Sequence, residues 1–301
     1  MTTGLPASLR PLGAGTAALL TPEAPSVGIL DTAAHLVPLL ARTGYVLLRD
    51  FAPTLDDFNA LVRTCSARIT LDPARAFYGD AAQMVDSGHD PIGLHIENGA
   101  TPYPPDLLWF HCVTAADSGS QTTVCDGQLL AEALDVETLD LFRRQRIVFS
   151  RRVPAELWRR FVAFGLDDGR SPDEIGAADL HALTGAHDVE ITVHPDDSIT
   201  YAHATYGAHP SRWSTEIAWA NSLFGPSYNY ETPDIRFEDG SPIPKDVLAE
   251  IAEVAERVTE EVLWQSGDVL LIDNSRVMHG RRAITDPRRT IVNAQSFAPA
   301  N

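Results

Sequence analysis

Residues 107–115, LLWFHCVTA, carry apolar side chains at both parities of a strand. Such a run is a strand buried on both faces, and each face then needs its own covering layer. Two more strong β runs lie near the C-terminus, VLWQSGDVLLIDN at 262–274 and RRTIVNAQSF at 288–297. Shorter ones occupy 45–49, 122–125 and 146–153, and 188–204 holds two around the turn Pro195-Asp196-Asp197-Ser198. Helical spacing marks 31–43, with Asp31 as its cap and Gly44 as its stop, and 54–67. It recurs at 128–134, at 136–145, within 155–185, and in an acidic segment at 244–260 whose charged side reads as a solvated face. Residues 71–106 are loop-rich, with Pro73, Pro91, Pro102, Pro104 and Pro105.

Many short strands with helices at the start and in one block predict an α/β chain with a mostly β core. The expected architecture is a double-stranded β-helix (a jelly roll, cupin-like) with N-terminal helices and a helical insertion. Residues 1–27, rich in Gly, Pro, Ala and Thr, read as an N-terminal arm. Residues 28–301 then form one domain, with an insertion or lid at about 150–235.

The formal charge of -18 opposes nucleic acid and anionic membrane surfaces as partners. Cys65, Cys112 and Cys125 have neither C-x-x-C spacing nor an even count, so they predict neither a disulfide framework nor a zinc site. A cytoplasmic location is expected, with no signal peptide in the first residues and no apolar run of membrane-spanning length.

His95-Ile96-Glu97 is a His-x-carboxylate pair. At a strand end, alternation aims two such side chains to one side, and a third ligand from a distant strand completes a two-His, one-carboxylate set with open positions opposite. His279 can supply that third ligand. The pair alone is weak evidence, because ten His and 41 acidic residues give about one such pair by chance. A second, His194-Pro195-Asp196, lies in the hairpin turn and reads as structural. His111, Trp109, Phe110 and Trp219 read as core residues, and His203 and His209 as structural residues beside a loop that could line the site.

What gives the pair weight is its surroundings. Strand 107–115 follows it, and then Gly119-Ser120-Gln121-Thr122-Thr123-Val124-Cys125-Asp126. Downstream come Asp273-Asn274-Ser275-Arg276-Val277-Met278-His279-Gly280-Arg281 and Asp286-Pro287-Arg288-Arg289. In these stretches the sequence resembles the taurine dioxygenase (TauD/TfdA)-like family of iron(II)/2-oxoglutarate oxygenases, nearest to natural-product hydroxylases of the syringomycin-pathway and clavaminate-synthase-like type. Ser120 stands where the family motif has a second Gly.

The resemblance implies Fe(II) held by His95, Glu97 and His279, with 2-oxoglutarate and O2 as co-substrates. Thr122 and Arg289 would hold the distal carboxylate of 2-oxoglutarate, a task suited to a guanidinium. Hydroxylation of an unactivated C–H bond in a small molecule is implied, either an amino acid or a natural-product intermediate, free or carrier-bound. Desaturation, cyclisation and epoxidation use the same ligands. Related halogenases have Gly or Ala in place of the carboxylate, so Glu97 disfavours halogenation. Taurine dioxygenase grips its sulfonate with an arginine where Asn293 stands here. Arg276, Arg281 and Arg282 are the candidates for a substrate carboxylate. A cupin-type metal enzyme or a non-catalytic binding protein would need neither Thr122 nor Arg289.

Overall fold

The computed structural model describes residues 4–13, 17–70, 77–84, 88–166, 168–184, 189–225 and 232–300. Pro73 and the ends of the 155–185 and 188–204 segments that meet at 185–188 fall outside them.

The chain opens with a hairpin, β1 (Ala7–Leu12) and β2 (Ala17–Pro22), then α1 (Ala33–Thr43), β3 (Tyr45–Leu48) and α2 (Leu55–Cys65). Short strands follow, β4 (Arg68–Thr70), β5 (Phe77–Tyr78), β6 (Ala82–Met84) and β7 (Ile92–His95), before the long β8 (Leu107–Thr114) and β9 (Thr122–Asp126). Helices α3 (Gly127–Ala133) and α4 (Val136–Arg144) lead to β10 (Arg146–Val153), α5 (Ala155–Leu166) and α6 (Ala177–Thr184). Next come the hairpin β11 (Val189–Val193) and β12 (Ile199–Tyr206), then β13 (Ala208–Pro210), β14 (Ile217–Trp219), β15 (Asp234–Phe237) and α7 (Lys245–Val258). The chain closes with β16 (Thr259–Val262), β17 (Val269–Asp273), β18 (Val277–Arg281) and β19 (Thr290–Phe297).

Among the described residues, a nine-stranded sheet has the order β1-β2-β3-β17-β8-β19-β6-β5, with β4 also on β19. A four-stranded sheet has the order β16-β9-β18-β7. Strand alternation sorts the side chains of the large sheet. Val46, Leu48, Trp109, Val269, Leu271, Val292 and Ala294 pack with Leu36, Leu40, Phe58 and Leu61 of α1 and α2. Their neighbours Leu47, Phe110, Leu270, Ile272 and Ile291 pack instead with Val124, Val262 and Val277 of the smaller sheet. The run at 107–115 is thus buried on both sides as far as Cys112, under helices on one face and a second sheet on the other, while Val113 and Thr114 are exposed. The far face of the smaller sheet (Cys125, Met278) lies against α3, α7 and Trp219. Ile251, Val254 and Ala255 form the buried side of acidic α7.

Three expectations need correction. Residues 1–27 are not a loose arm, because β1 and β2 pair antiparallel and β2 continues parallel beside β3, where Ala17, Ala18 and Leu20 are buried. The small apolar residues that resemble a linker in sequence form β2, which lies between β3 and the edge strand β1. The insertion is not simply helical either. Its frame is a four-stranded sheet, β11-β12-β10-β15, against which α5 and α6 pack through Trp158, Val162 and Leu180. Asp31 lies within a 3₁₀ turn, Ile29–Thr32, where it accepts from the Gly28 amide at 2.9 Å, and Thr32 becomes the N-cap of α1. Gly44 ends α1 as expected, at φ 76°, with its amide on the Leu40 carbonyl.

Buried at the end of β17, Asp273 has its carboxyl pushed up to about 6 by burial, although the Ser275 amide and hydroxyl both donate to it. A carboxyl raised in the folded state binds more protons there than in the unfolded chain. Its stabilising contribution is therefore complete below about pH 4 and lost as pH rises through about 6, about 3 kcal/mol in all. Asp273→Asn removes this loss. The expected outcome is a melting temperature for the variant that gains on the wild type between pH 4.5 and 7.5, measured by circular dichroism.

Candidate metal centre

His95 ends β7, and His279 is the central residue of β18. The two strands are antiparallel neighbours with His279 opposite His95. Their rings lie 4.2 Å apart between centroids. Gly280 permits this approach, since a Cβ there would sit 2.6 Å from the Ile92 carbonyl oxygen. Glu97 follows β7 by two residues and turns inward, so that its Oε2 lies 3.5 Å from Nε2 of His279. One ligand atom from each of His95, Glu97 and His279 falls within 4.8 Å of the others.

The donor set fits a divalent cation on three observations. Glu97 and His279 are each 6% exposed, so a carboxylate is held inside the protein against a histidine. A buried carboxylate needs a compensating charge, and a shared cation supplies one. Nδ1 of His95 lies 2.8 Å from the Gly93 carbonyl oxygen, the bond that fixes a ligating tautomer with Nε2 left as the donor to metal. Phe110 closes the other side of His279, with ring centroids 5.4 Å apart.

The loop carrying Glu97 is clamped at its backbone. The Glu97 amide donates to Oδ1 of Asn274 at 2.7 Å, and Nδ2 of Asn274 donates to the carbonyls of Glu97 (3.1 Å) and Pro105 (2.8 Å). The Glu97 carboxylate also accepts at Oε1 from Nε2 of Gln295, at 2.8 Å. Asn274 and Gln295 are neighbours of the site to which the sequence reading gave no role, and Phe110, read there as a core residue, packs beside His279. For Gln295 the signal was present in β19, where IVNAQSF places Asn293 and Gln295 at the inward parity, alternating with apolar Val292 and Ala294.

Thr122 and Arg281 are paired across β9 and β18, both at the parity of inward-facing Val124 and Val277. The Thr122 hydroxyl accepts from the Trp264 indole at 3.0 Å. Arg289 stands at the start of β19 and lines a cleft with Ser120, Cys112 and Trp264, where its Nη1 donates to the Ser120 carbonyl at 2.6 Å. Burial, together with the positive charge of Arg281, pushes its pKa down to about 10. Among the described residues no carboxylate pairs with Arg289. Ser120, where the family motif has Gly, keeps a left-handed backbone at φ 64°.

The three candidate arginines separate cleanly. Arg276 is consumed by a buried two-point ion pair with Asp126, at 2.9 and 2.5 Å. Arg282 faces outward, with Glu256 and Glu261. Arg281 alone is buried on the inward face beside His279, donating to the carbonyls of Gly88 and Asp90. Arg276 and Arg282 therefore do not meet a ligand of this site, because each is already spent on an acidic partner.

The remaining histidines have other surroundings. His111 stacks on Phe58 on the helix side of β8, and His194 lies 2.8 Å from the Thr200 hydroxyl in the hairpin. His203 and His209 line a different cleft with Asp106 and Asn274, so they come close to the clamp on Glu97 and not to the metal cluster.

Two histidines and a carboxylate that converge on one point form a cluster that could hold a single divalent ion, the class of a mononuclear metal site. The comparisons with known proteins make the class specific. Residues 10–295 match the model of the taurine catabolism dioxygenase TauD, TfdA family, and the chain belongs to that family, whose cofactor is iron(II) and whose co-substrate is 2-oxoglutarate. A clavaminate synthase-like protein of Arabidopsis thaliana is 25% identical over 278 residues, 86% of this chain and 83% of its own. The dapdiamide synthesis protein DdaC of Enterobacter agglomerans is 23% identical over 311 residues, 93% of this chain and 92% of its own. Among solved structures, a taurine dioxygenase from Burkholderia xenovorans superposes with TM-score 0.66 at 15% identity, covering 98% of this chain and 90% of its own. PvcB of Pseudomonas aeruginosa does so with TM-score 0.64 at 15% identity, covering 99% and 93%.

The ion pair assigned to Arg276 has a measurable consequence. Arg276→Met leaves the Asp126 charge buried and is expected to destabilise the fold by about 3–5 kcal/mol. Arg282→Ala, at the exposed cluster, should change stability by less than about 1 kcal/mol. Urea denaturation of the two variants checks the contrast.

Proposed function

We propose that this chain is an iron(II)- and 2-oxoglutarate-dependent hydroxylase of a small molecule, built on a jelly-roll frame whose two faces are the nine-stranded and four-stranded sheets. His95, Glu97 and His279 hold the metal. Arg289 and Thr122 receive the distal carboxylate of 2-oxoglutarate. The observation that carries this reading is the coexistence of the two-His, one-carboxylate cluster and a half-buried arginine without an acidic partner among the described residues. A desolvated guanidinium calls for an anion, and a carboxylate binds it in a two-point geometry.

Bound there, iron(II) with 2-oxoglutarate and O2 supplies an oxidant for an unactivated C–H bond, with succinate and CO2 as the other products. The protein supplies position and dryness. His95 is oriented through Gly93, Glu97 through Asn274, and Phe110 shields His279. Hydroxylation is favoured over halogenation because the Glu97 carboxylate occupies a position that a halide would need.

Asn293 lies inward on β19 with its Oδ1 buried and without a hydrogen-bond partner among the described residues. An amide oxygen in that state accepts from an N–H and repels an anion. This supports a nitrogen-bearing substrate, such as an amino acid or an amino-acid-derived intermediate, over a sulfonate. The location is read as cytoplasmic, and among the described residues no helix is long and apolar enough to cross a membrane.

Anaerobic titration of the apo-protein with iron(II) and 2-oxoglutarate should produce a weak visible charge-transfer band that His279→Ala abolishes. No band from folded wild type would overturn the reading. Arg289→Lys keeps the charge but loses the fork, and should raise the 2-oxoglutarate concentration at half-maximal band about 10- to 100-fold. A succinate assay over a panel of free and carrier-bound amino acids then identifies the substrate, and a chlorinated product would overturn the choice of hydroxylation.

A further inference from the structure

A glutamate ligand poses a geometric problem. It has one more rotatable bond than aspartate, and its carboxylate can present one oxygen to a metal or both. The backbone clamp from Asn274 fixes where the Glu97 side chain starts, not how its carboxylate is turned. The turn is set by Gln295.

Gln295 is 1% exposed on β19, paired with Leu108 on one side and Thr70 on the other, so its backbone is held from both edges. Its Nε2 donates to Oε1 of Glu97 at 2.8 Å, while its Oε1 accepts from Nδ2 of Asn98 at 3.0 Å. The second bond decides the first. Because Asn98 donates, the glutamine amide must point its oxygen at Asn98 and its N–H at Glu97. Asn98 in turn has a left-handed backbone, φ 56°, which Asn tolerates better than most residues. Its carbonyl accepts from the Thr101 amide and hydroxyl, at 2.9 and 2.8 Å. The chain of bonds thus runs from a fixed turn, through Asn98 and Gln295, to one carboxylate oxygen, while the other oxygen faces His279.

We propose that Gln295 is a positioning residue that restricts Glu97 to ligation through a single oxygen, with Asn98 setting the polarity of the Gln295 amide. This rests on the iron(II)/2-oxoglutarate reading of the site. Iron(II) held by these residues would need room beside them for the 2-oxo acid and for O2. Ligation by both Glu97 oxygens would take up part of that room. The brace therefore protects co-substrate binding more than it protects metal binding.

The test is an anaerobic titration of iron-saturated protein with 2-oxoglutarate, read by the charge-transfer band, in wild type, Gln295→Leu and Asn98→Asp. Leucine deletes the N–H. Aspartate keeps the size and the left-handed backbone of Asn98 but can only accept, which turns the Gln295 amide oxygen toward Glu97. Both variants should raise the half-maximal 2-oxoglutarate concentration about 10- to 100-fold at saturating iron. Asn98→Asp covers the case in which Gln295→Leu does not fold. A wild-type band with unchanged midpoints in the variants overturns the brace alone, whatever happens to iron affinity. Absence of a band in wild type overturns the iron reading and this inference with it.

Discussion

The antiparallel contact of β18 with β7 puts His279 opposite His95 and so joins two proposed metal ligands that are far apart in the chain. Around that contact the two sheets have divided work. Where β3, β17, β8 and β9 face one another, the interior is apolar, with Leu47, Leu270, Ile272, Leu108 and Val124. Toward β18, β7 and the flanks of β19, the same inward parity carries His279, Arg281, Thr122, Asn293 and Gln295, all buried. Buried polar groups cost stability unless they are paired. The apolar half of the interior and the helix-covered outer face of the large sheet supply the cohesion that lets the polar half exist.

That division also explains what the sequence could and could not show. Residues 107–112 and 269–273 were legible because burial on both faces leaves a dense apolar run, whereas the run expected at 262–274 is divided, with Val262 ending β16 in the smaller sheet and β17 starting only at Val269 in the larger. His95, Glu97 and His279 could be singled out because they stand in spaced motifs, and the fold brings them together. The edge hairpin of β1 and β2 was not, since its stability comes from pairing with β3 and its small residues look like a linker. Three strands of the sheet that frames the insertion, β10, β11 and β12, stand in the runs read at 146–153 and 188–204, and β15 alone of that sheet carried no readable run.

The three arginines near His279 make the same lesson local. Sequence distance from a ligand treats Arg276, Arg281 and Arg282 alike. Strand parity and charge partners do not. Arg281 is two residues from His279 on one strand and shares its face. Arg282 has the opposite parity and meets two glutamates outside. Arg276 precedes β18 and is held by Asp126, which ends β9. Had β18 been recognised as a strand, parity alone would have removed Arg282. Nothing short of the fold could have removed Arg276, because Asp126 is 150 residues away in sequence.

Arg289 and Glu97 show the two opposite ways in which this interior handles charge. Glu97 has Gln295 donating to one oxygen, His279 facing the other, and Asn274 bonded to both its amide and its carbonyl. Arg289 has a backbone carbonyl for company and a second guanidinium nearby, and its pKa is depressed by both burial and that charge. Stability alone would favour an acidic partner for Arg289, of the kind Arg276 has in Asp126. Such a partner would neutralise the cleft and exclude an anionic co-substrate. Arg276 is paired with Asp126 while Arg289 has no carboxylate partner among the described residues, and burial with the nearby Arg281 lowers its pKa; on the proposed reading, the carboxylate of the co-substrate supplies the missing charge.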